Sequence, residues 1–284
     1  MITRIEKNKK IQDEIIKEEN IKRFKKITKI LGIILGSILL VLCLGMFVGA
    51  KVVVVKEYPI INKTIPSSFH GIKLVQFSDL LYNSLTKQDL NKLERQINEL
   101  EPDILIFTGD IKRKDLKLSK KDIEILNNFF KSLNASLKKY AVMGDLDDDS
   151  FSLIMENSNF IVLNNSKDNI YYKESTPINV IGLNTNELKL DELKSENYSI
   201  CIFHNPDDID TILENINCNL ALAGDTRGGE IKLFGEPVLD DHKYNKDYYK
   251  IKETTFYISN GLGNDTNIRY FNHPSISLFR LRTK

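Results

Sequence analysis

The sequence predicts a layered α/β domain that follows a single N-terminal membrane-spanning helix. From residue 72 onward, short apolar runs typical of buried strands alternate with segments whose apolar positions fall on one helix face. Such alternation indicates a sheet that is covered by helices. Ahead of this region, residues 30–50 contain no charged side chain, and about 20 apolar residues are enough to cross a bilayer as a helix.

Residues 1–29 precede the apolar run and have a net charge of +5, while the remainder of the chain is slightly acidic. They hold ten Lys or Arg and five acidic residues, whereas the whole chain has a net charge of only +1. Because positive flanks stay cytoplasmic, we predict a cytoplasmic basic juxtamembrane segment at 1–29, a transmembrane signal anchor at 30–50 and an extracytoplasmic domain at 51–284. A cleaved signal peptide is the alternative, although the apolar run exceeds the ~7–15 residues usual for one.

Amino-acid composition indicates the source and the compartment of the protein. It is rich in Lys, Asn and Ile and has no Trp, which we interpret as the product of an AT-rich bacterial genome. We therefore predict a single-pass protein of a bacterial cell membrane. The nearly balanced charge predicts no nucleic-acid partner. Cys43 lies in the apolar run, while Cys201 and Cys218 lie in or beside predicted strands, where they are either inert packing or a disulfide formed outside the cell.

The elements of the domain follow in a regular order. Four consecutive valines open it as a strand, because β-branched residues favour strands. Leu90, Leu93, Ile97 and Leu100 then share one helix face. The polar stretch 239–250 is predicted to be a loop. We predict strands at 52–55, 72–78, 103–108, 140–143, 160–163, 169–173, 178–183, 199–203, 219–223, 255–259 and 275–282, and helices at 87–100, 120–137, 150–157, 187–195 and 206–215.

Five of the apolar runs are followed by a polar residue that can bind a metal. In an open α/β sheet, ligand sites gather at the carboxyl ends of the strands, so these five side chains are expected to share one cluster. Several carboxylates in one cleft need a cation or protons to offset their charge. The five residues are Asp79, Asp110, Asp145, His204 and Asp225.

Each residue taken alone has a simpler explanation, since Asp after a strand is often a turn or cap residue and a lone His is often structural. Five with the same context are harder to explain in that way. Four carboxylates with one imidazole suit a hard cation such as Mn²⁺, Mg²⁺, Fe²⁺ or Ca²⁺.

The motifs around these residues resemble those of the calcineurin-like metallophosphoesterases, and most closely a bacterial branch anchored by one N-terminal membrane helix. The resemblance implies a two-sheet α/β sandwich, flanked by helices, with two metal ions at the strand ends. There a metal-held hydroxide attacks phosphorus. It rests on residues 77–80 (FSDL), 107–110 (FTGD), 142–145 (VMGD), 203–206 (FHNP), 223–230 (AGDTRGGE), 257–264 (YISNGLGN) and 268–274 (IRYFNHP).

The chain departs from the family pattern at the positions that matter most for chemistry. Histidine is replaced by Leu81 in the first motif, by Leu146 in the third, and by Asp225 and Arg227 in the last, while the Asn of the third motif is Asp145. The His replaced by Leu146 is the one that aids the transition state or leaving group in the family, so we assign no catalytic residue.

The resemblance also divides the candidate ligands between two metals. The first metal would use Asp79, Asp110 and the two positions now occupied by Leu81 and Arg227. Leu cannot bind a metal and Arg only donates hydrogen bonds, so Arg227 is expected to act as a charge partner of Asp79 and Asp110 or to bind a substrate phosphate. We therefore expect one bound ion rather than two, held by Asp110, Asp145, His204 and Asp225.

Three hypotheses for function follow from the sequence. The first is a membrane-tethered pseudoenzyme that retains the fold but not efficient hydrolysis. The second is an active single-metal hydrolase acting on lipid or envelope phosphoesters. The third is an extracellular binding module that uses the old cleft or the 239–250 loop, where Tyr244, Tyr248 and Tyr249 alternate with lysines, although a solvated loop explains these tyrosines more simply. No specific protein partner is predicted.

Overall fold

The computed structural model describes most of the chain as two compact units that divide after residue 46. The first contains one helix, α1 (Arg4–Leu44), whose side chains are exposed along its described length. Its portion Lys7–Leu44 is long and apolar enough to cross a membrane, by length and composition. The residues described are 4–45, 49–114, 116–184, 191–229, 231–233, 236–238, 242–264 and 269–284.

The second unit contains four helices and fourteen strands within its described residues. The helices are α2 (Lys87–Glu99), α3 (Lys120–Ser132), α4 (Ser150–Asn157) and α5 (Ile209–Asn215). The strands are β1 (Val54–Ile61), β2 (Lys73–Phe77), β3 (Ile104–Phe107), β4 (Lys138–Ala141), β5 (Ile161–Val162), β6 (Ser166–Ile170), β7 (Ile178–Gly182), β8 (Ser199–Ile202), β9 (Leu220–Ala223), β10 (Lys232–Leu233), β11 (Glu236–Pro237), β12 (Tyr248–Ile251), β13 (Thr254–Ile258) and β14 (Ser275–Arg282).

Two six-stranded sheets form the body of this unit. Their strand orders are β1-β14-β2-β3-β4-β5 and β12-β13-β9-β8-β7-β6. One apolar cluster contains residues from the inner faces of both sheets, so the sheets pack face to face as a sandwich. A second cluster joins the outer face of the first sheet to α2, α3 and α4, and a third joins the second sheet to α5. The layered α/β sandwich predicted from the sequence is therefore confirmed.

Several element boundaries differ from the predictions. The helix predicted at 120–137 ends at Ser132, because the Asn98 amide donates to the Ser132 carbonyl at 2.9 Å and accepts from the Asn134 N–H at 2.9 Å. The first strand lies at Val54–Ile61 rather than 52–55, and as an edge strand it tolerates Pro59. The strand predicted at 169–173 lies at Ser166–Ile170.

Two further predictions need correction in part. Of the helix predicted at 187–195, residues 187–190 lie outside the described residues, and the described part contains only a short 3-10 turn at Asp191–Leu193. The loop predicted at 239–250 is wrong at its end. Tyr248–Ile251 pairs with β13 as an edge strand, because its half-buried residues alternate with exposed ones on the pleated sheet.

Cys201 and Cys218 form a disulfide. Cys201 lies on β8 and Cys218 stands just before the neighbouring strand β9, and both are buried. The bond therefore ties together the two strands that lead to His204 and Asp225. Cys43 is a free, exposed cysteine on α1.

Candidate metal centre

The candidate ligands lie at one edge of the sandwich. Asp79, Asp110 and Asp145 follow β2, β3 and β4, which are parallel neighbours in the first sheet, and His204 and Asp225 follow the parallel pair β8 and β9 in the second. Parallel strands end at the same edge, and the two edges meet where Nε2 of His204 lies 3.3 Å from Oδ2 of Asp110. The predicted convergence of the strand ends is therefore found in the structure.

The backbone at these strand ends adopts an unusual conformation. Asp79, Leu81, Asp110, Asp225 and Arg227 all have positive φ, between 40° and 66°. This region costs non-glycine residues about 1–3 kcal/mol each and persists only where the surrounding structure enforces it. Such strain concentrates at functional sites, and here it turns the side chains that follow the strands toward the cleft.

Two glycines allow the strand ends to approach each other. A Cβ on Gly109, which itself has a φ of 92°, would lie 2.6 Å from the backbone nitrogen of Gly144. A Cβ on Gly144 would collide with the Asp110 carboxylate. The Gly-Asp pairs that marked the strand ends in the sequence thus have a steric reason.

The centre of the cleft is formed by Asp79, Asp110 and His204. One potential ligand atom from each lies within 4.8 Å of the others, and all three residues are buried. Nδ1 of His204 is 2.6 Å from the carbonyl oxygen of Thr108, and since a carbonyl only accepts, Nδ1 carries the proton. In the neutral imidazole, Nε2 then presents a lone pair to the two carboxylates.

Several polar atoms of this centre lack hydrogen-bond partners among the described residues. They are both carboxyl oxygens of Asp79 and Nε2 of His204. Buried polar atoms are nearly always satisfied, so these three call for a ligand. Carboxylate oxygens with one imidazole nitrogen fit a hard divalent cation, so the donor set matches the metal that the sequence predicts.

Burial and charge shift the titration of this centre. Burial, reinforced by the charge of Asp110, raises the pKa of Asp79 to about 7, although the positive charges of His204 and Arg227 oppose the shift. Burial disfavours a charged His204, but the adjacent Asp110 outweighs this and raises the pKa of His204 well above its usual range. Without a cation, Asp79 and His204 therefore both bind a proton more readily than the free side chains do.

Asp225 stands between two imidazoles. Its Oδ1 is 3.7 Å from Nε2 of His204, and its Oδ2 is 3.1 Å from Nε2 of His242. Burial opposes ionisation of Asp225, yet the hydrogen bond from His242 and the positive charges of His204, His242 and Arg227 lower its pKa overall. His242 was assigned no role from the sequence, because it lies far from any strand-end motif.

Asp145 occupies the rim rather than the centre. Its side chain is exposed, although partial burial and the charges of Asp225 and Asp110 raise its pKa against the opposing charge of His204. Asp208, in the turn after His204, was also missed from the sequence. Burial and the nearby Asp145, Asp207 and Asp225 raise the pKa of Asp208 to about 6.

Asp147 is a structural residue that the sequence analysis overlooked. Its carboxylate accepts hydrogen bonds from the backbone N–H groups of Asp110 and Ile111, both at 2.8 Å, and of Gly144, at 2.9 Å. It therefore fixes the loops after β3 and β4 against each other. The N–H of Leu146 donates to Oδ1 of Asp110 at 2.9 Å, which leaves Oδ2 facing His204. Three acids in a row at 147–149 were the only signal available.

The substituted positions lie beside Asp79. The side chain of Leu81 is fully buried, and its N–H donates to the Asp110 carbonyl at 3.2 Å. The positive charge of Arg227 acts on both Asp79 and Asp225 and favours their ionised forms. An apolar side chain and a cation therefore occupy the region where the family resemblance would place two histidine ligands.

Residues 257–264 and 269–274, here called the C-terminal signature, include groups that hydrogen-bond to the backbone at Ser78 and Asp79. The N–H of Leu262 donates to the Ser78 carbonyl at 3.0 Å, and that of Gly263 donates to the Asp79 carbonyl at 2.7 Å. The guanidinium of Arg269 is wholly buried and donates to the carbonyls of Asn260 at 2.6 Å and Gly263 at 2.7 Å. This signature thus holds the backbone that carries Asp79.

Comparison with known proteins agrees with the geometry. The chain is 29% identical over 247 residues to the uncharacterised metallophosphoesterase YkuE of Bacillus subtilis, covering 80% of this chain and 85% of that protein. The chain is thus similar to a metallophosphoesterase over most of its length, in agreement with its calcineurin-like motifs. It is also 26% identical over 288 residues to the UDP-2,3-diacylglucosamine pyrophosphatase LpxG of Chlamydia muridarum, covering 76% of this chain and 86% of LpxG.

Among the solved structures that align with the chain is a phosphoesterase. The calcineurin-like phosphoesterase YfkN from Bacillus subtilis aligns with a TM-score of 0.40 at 11% identity, covering 68% of this chain and 82% of that one. No protein-family model matches the chain.

Proposed function

We propose that this protein is a membrane-tethered metallophosphoesterase that binds at most one divalent cation and hydrolyses phosphoesters poorly or not at all. The observation that carries the proposal is the buried Leu81 beside Asp79. A leucine supplies no ligand atom, so the first metal implied by the family lacks a nitrogen donor there. Arg227 removes the second one and adds a positive charge that favours ionised Asp79.

A single cation is consistent with the remaining donors. Asp110 and His204 lie in contact at the centre, with Oδ1 of Asp225 close to the imidazole, so these three residues would hold the ion, with Asp145 reaching in from the rim. Two like charges ~4 Å apart repel by about 4 kcal/mol at an effective dielectric of 20, which a bound cation would offset. Mn²⁺, Mg²⁺, Fe²⁺ and Ca²⁺ remain candidates. When bound, such an ion polarises a phosphoryl oxygen and activates water.

Weak catalysis follows from what the site lacks. Position 146 contributes a backbone N–H to Asp110 but no imidazole to protonate a leaving group. A positioned general acid typically contributes ~10²–10⁴ in rate. Loss of one of two metals removes several further kcal/mol of charge stabilisation in the transition state.

Turnover by the full-length protein in detergent tests this proposal. We expect less than about 1 s⁻¹, the lower end of ordinary enzyme turnover, on bis(p-nitrophenyl) phosphate with Mn²⁺, Mg²⁺ or Fe²⁺. Asp110→Ala, which removes the central carboxylate, is the matched background. Faster turnover that disappears in Asp110→Ala would contradict the pseudoenzyme proposal.

A second candidate is a single-metal hydrolase of lipid or envelope phosphoesters. It is favoured by the likeness to LpxG, which is named as a UDP-2,3-diacylglucosamine pyrophosphatase, and by the apolar helix. Arg227 would then bind a phosphate oxygen of the substrate. UDP-2,3-diacylglucosamine in mixed micelles is the substrate to test. Product formation that persists in Asp110→Ala would exclude this site as its source.

We also propose that the N-terminus is cytoplasmic and that the domain from residue 51 lies outside a bacterial cell membrane. The basic residues before the apolar run support this orientation. The Cys201–Cys218 disulfide supports it independently, since disulfides persist mainly in oxidising compartments.

The tyrosine-rich stretch offers less to a binding partner than its sequence indicated. The ring of Tyr244 lies 5.8 Å from that of Phe256 and 5.0 Å from that of Tyr249. Two of the three tyrosines therefore pack on the sheet, while Tyr248 is 48% exposed. Binding of a protein partner through this surface stays a hypothesis.

A further inference from the structure

His242 reaches the candidate metal centre from outside the strand-end motifs. Its Nε2 lies 3.1 Å from Oδ2 of Asp225, and the side chain is 31% exposed. The other oxygen of Asp225, Oδ1, lies 3.7 Å from Nε2 of His204. The two oxygens of one carboxylate are thus divided, one facing the buried centre and the other facing His242.

The backbone beside His242 is fixed to the turn that begins α5. The N–H groups of Lys243 and Tyr244 donate to the two carboxylate oxygens of Asp207, at 3.3 and 3.1 Å. The Tyr244 hydroxyl donates to Asp210 at 2.9 Å, and the Lys243 ammonium donates to the same carboxylate at 2.7 Å. Four bonds to a neighbouring turn hold the chain after His242, so its position beside Asp225 belongs to the folded domain.

Oδ1 of Asp225 faces Nε2 of His204, a buried nitrogen without a hydrogen-bond partner among the described residues. Nε2 of His204, whose residue is 1% exposed, has no hydrogen-bond partner among the described residues and lies 3.3 Å from Oδ2 of Asp110. Oδ2 of Asp110 and Oδ1 of Asp225 therefore both lie within 3.7 Å of Nε2 of His204. The outer oxygen of Asp225 is left for His242.

We propose that His242 is a positioning residue of the cation site. Its Nε2–H donates to Oδ2 of Asp225 and so turns Oδ1 toward the ion that Asp110 and His204 would hold. A carboxylate that ligates a metal is commonly oriented by an outer hydrogen bond, and loss of such a bond typically costs about 10–100-fold in metal affinity. The inference rests on the proposed one-cation site and adds a residue that strand-end motifs do not include.

Mn²⁺ binding to the full-length, detergent-solubilised protein tests the role of His242, with free Mn²⁺ measured by electron paramagnetic resonance. We expect His242→Ala to raise the Kd by about 10–100-fold. His242→Gln, whose amide can still donate to Asp225, should restore most of the affinity. His70→Ala is the matched control, because His70 is exposed and precedes β2, at the opposite end of that strand from Asp79.

The outcomes separate this inference from the proposed function. Failure of the wild-type protein to bind Mn²⁺ would overturn the cation site and the role of His242 with it. Binding by wild type and His242→Ala with equal affinity would overturn only the role of His242. Pulsed resonance of bound Mn²⁺ should show one coordinated imidazole, from His204, in both proteins. A second imidazole that disappears in His242→Ala would make His242 a direct ligand and contradict positioning.

Discussion

Asp79 is a carboxyl group enclosed by protein on all sides. Its side chain is 0% exposed, and neither oxygen has a hydrogen-bond partner within the part of the chain that the structure describes. A buried carboxylate in this state strongly favours protonation unless a cation neutralises it. In the metal-free protein, the protonation of Asp79 is therefore sensitive to pH near neutrality.

The raised pKa of Asp79 predicts how stability depends on pH. The pKa of Asp79 is about 7 in the folded protein, whereas its ordinary value is 3.8. The folded protein therefore binds this proton more tightly than the unfolded chain does. The resulting stabilisation is fully present below about pH 4 and is lost as pH rises through 7. In EDTA, the free energy of unfolding of wild type should fall relative to Asp79→Asn by a few kcal/mol, on the order of one per unit of pKa shift.

Denaturant unfolding at pH 4, 6 and 8, followed by circular dichroism, measures this difference. Asp122→Asn is the control of opposite sign. The hydrogen bonds in its capping box with Ser119 lower the pKa of Asp122. The free energy of unfolding of wild type should therefore rise relative to that of Asp122→Asn as pH increases. Parallel pH profiles for wild type and Asp79→Asn would contradict the assignment.

Leu81 and Arg227 make a second prediction at the residue scale. Leu81→His combined with Arg227→His restores two imidazoles beside Asp79, and His is among the residues that tolerate the positive φ found at both positions. Metal content after dialysis against Mn²⁺ should rise from one ion per chain toward two. Leu146→His, which adds no ligand to the first metal, should leave the count unchanged. If the double variant bound no more metal ions per chain than wild type, Leu81 and Arg227 would not be the reason that the site holds only one ion.

At the scale of elements, the sequence was most informative at the carboxyl ends of the parallel strands. Apolar runs that end in Gly-Asp predicted β3, β4 and β9 together with the residues after them, because parallel strands bring their carboxyl ends to one edge. His242 and Asp208 could not be found in this way. His242 lies in a loop that is held against the turn before α5, and Asp208 lies in that turn, so neither follows a strand in a Gly-Asp motif.

Helix ends were predicted less well than strand ends. The apolar face of α3 continues to Leu133, yet the helix ends at Ser132 because a side chain from the neighbouring α2 binds its last carbonyl. Asn98 is distant in sequence, so a local pattern carries no trace of this contact. Tertiary hydrogen bonds of this kind set the boundary.

The C-terminal signature makes a prediction about element packing. The Arg269 guanidinium donates to two buried carbonyls of the 260–264 loop and so fixes the shape of that loop. The loop in turn hydrogen-bonds to the backbone at Asp79. Arg269→Met should lower the free energy of unfolding by about 3–5 kcal/mol, because it leaves buried carbonyls unsatisfied. Arg280→Met, which breaks a surface pair with Glu57, is the matched control and should cost less than about 1 kcal/mol. Equal losses in denaturant unfolding would contradict this role.

At the scale of the whole molecule, charge and cysteine chemistry point to the same orientation. The basic flank before the apolar helix favours a cytoplasmic N-terminus. The Cys201–Cys218 bond favours a domain that folds in an oxidising compartment. Cys43, on α1, supplies an internal reference thiol.

Thiol labelling of the denatured protein tests this orientation. After expression in a bacterial host and quenching in acid, a maleimide reagent should label only Cys43 in wild type and all three cysteines after reduction. Replacing Lys22, Arg23, Lys25, Lys26 and Lys29 with Asn weakens the positive-inside signal, so a fraction of chains should retain the domain in the cytoplasm with Cys201 and Cys218 reduced. Wild-type protein whose three cysteines all react without reductant would place the domain in the cytoplasm, since the bond could not form there.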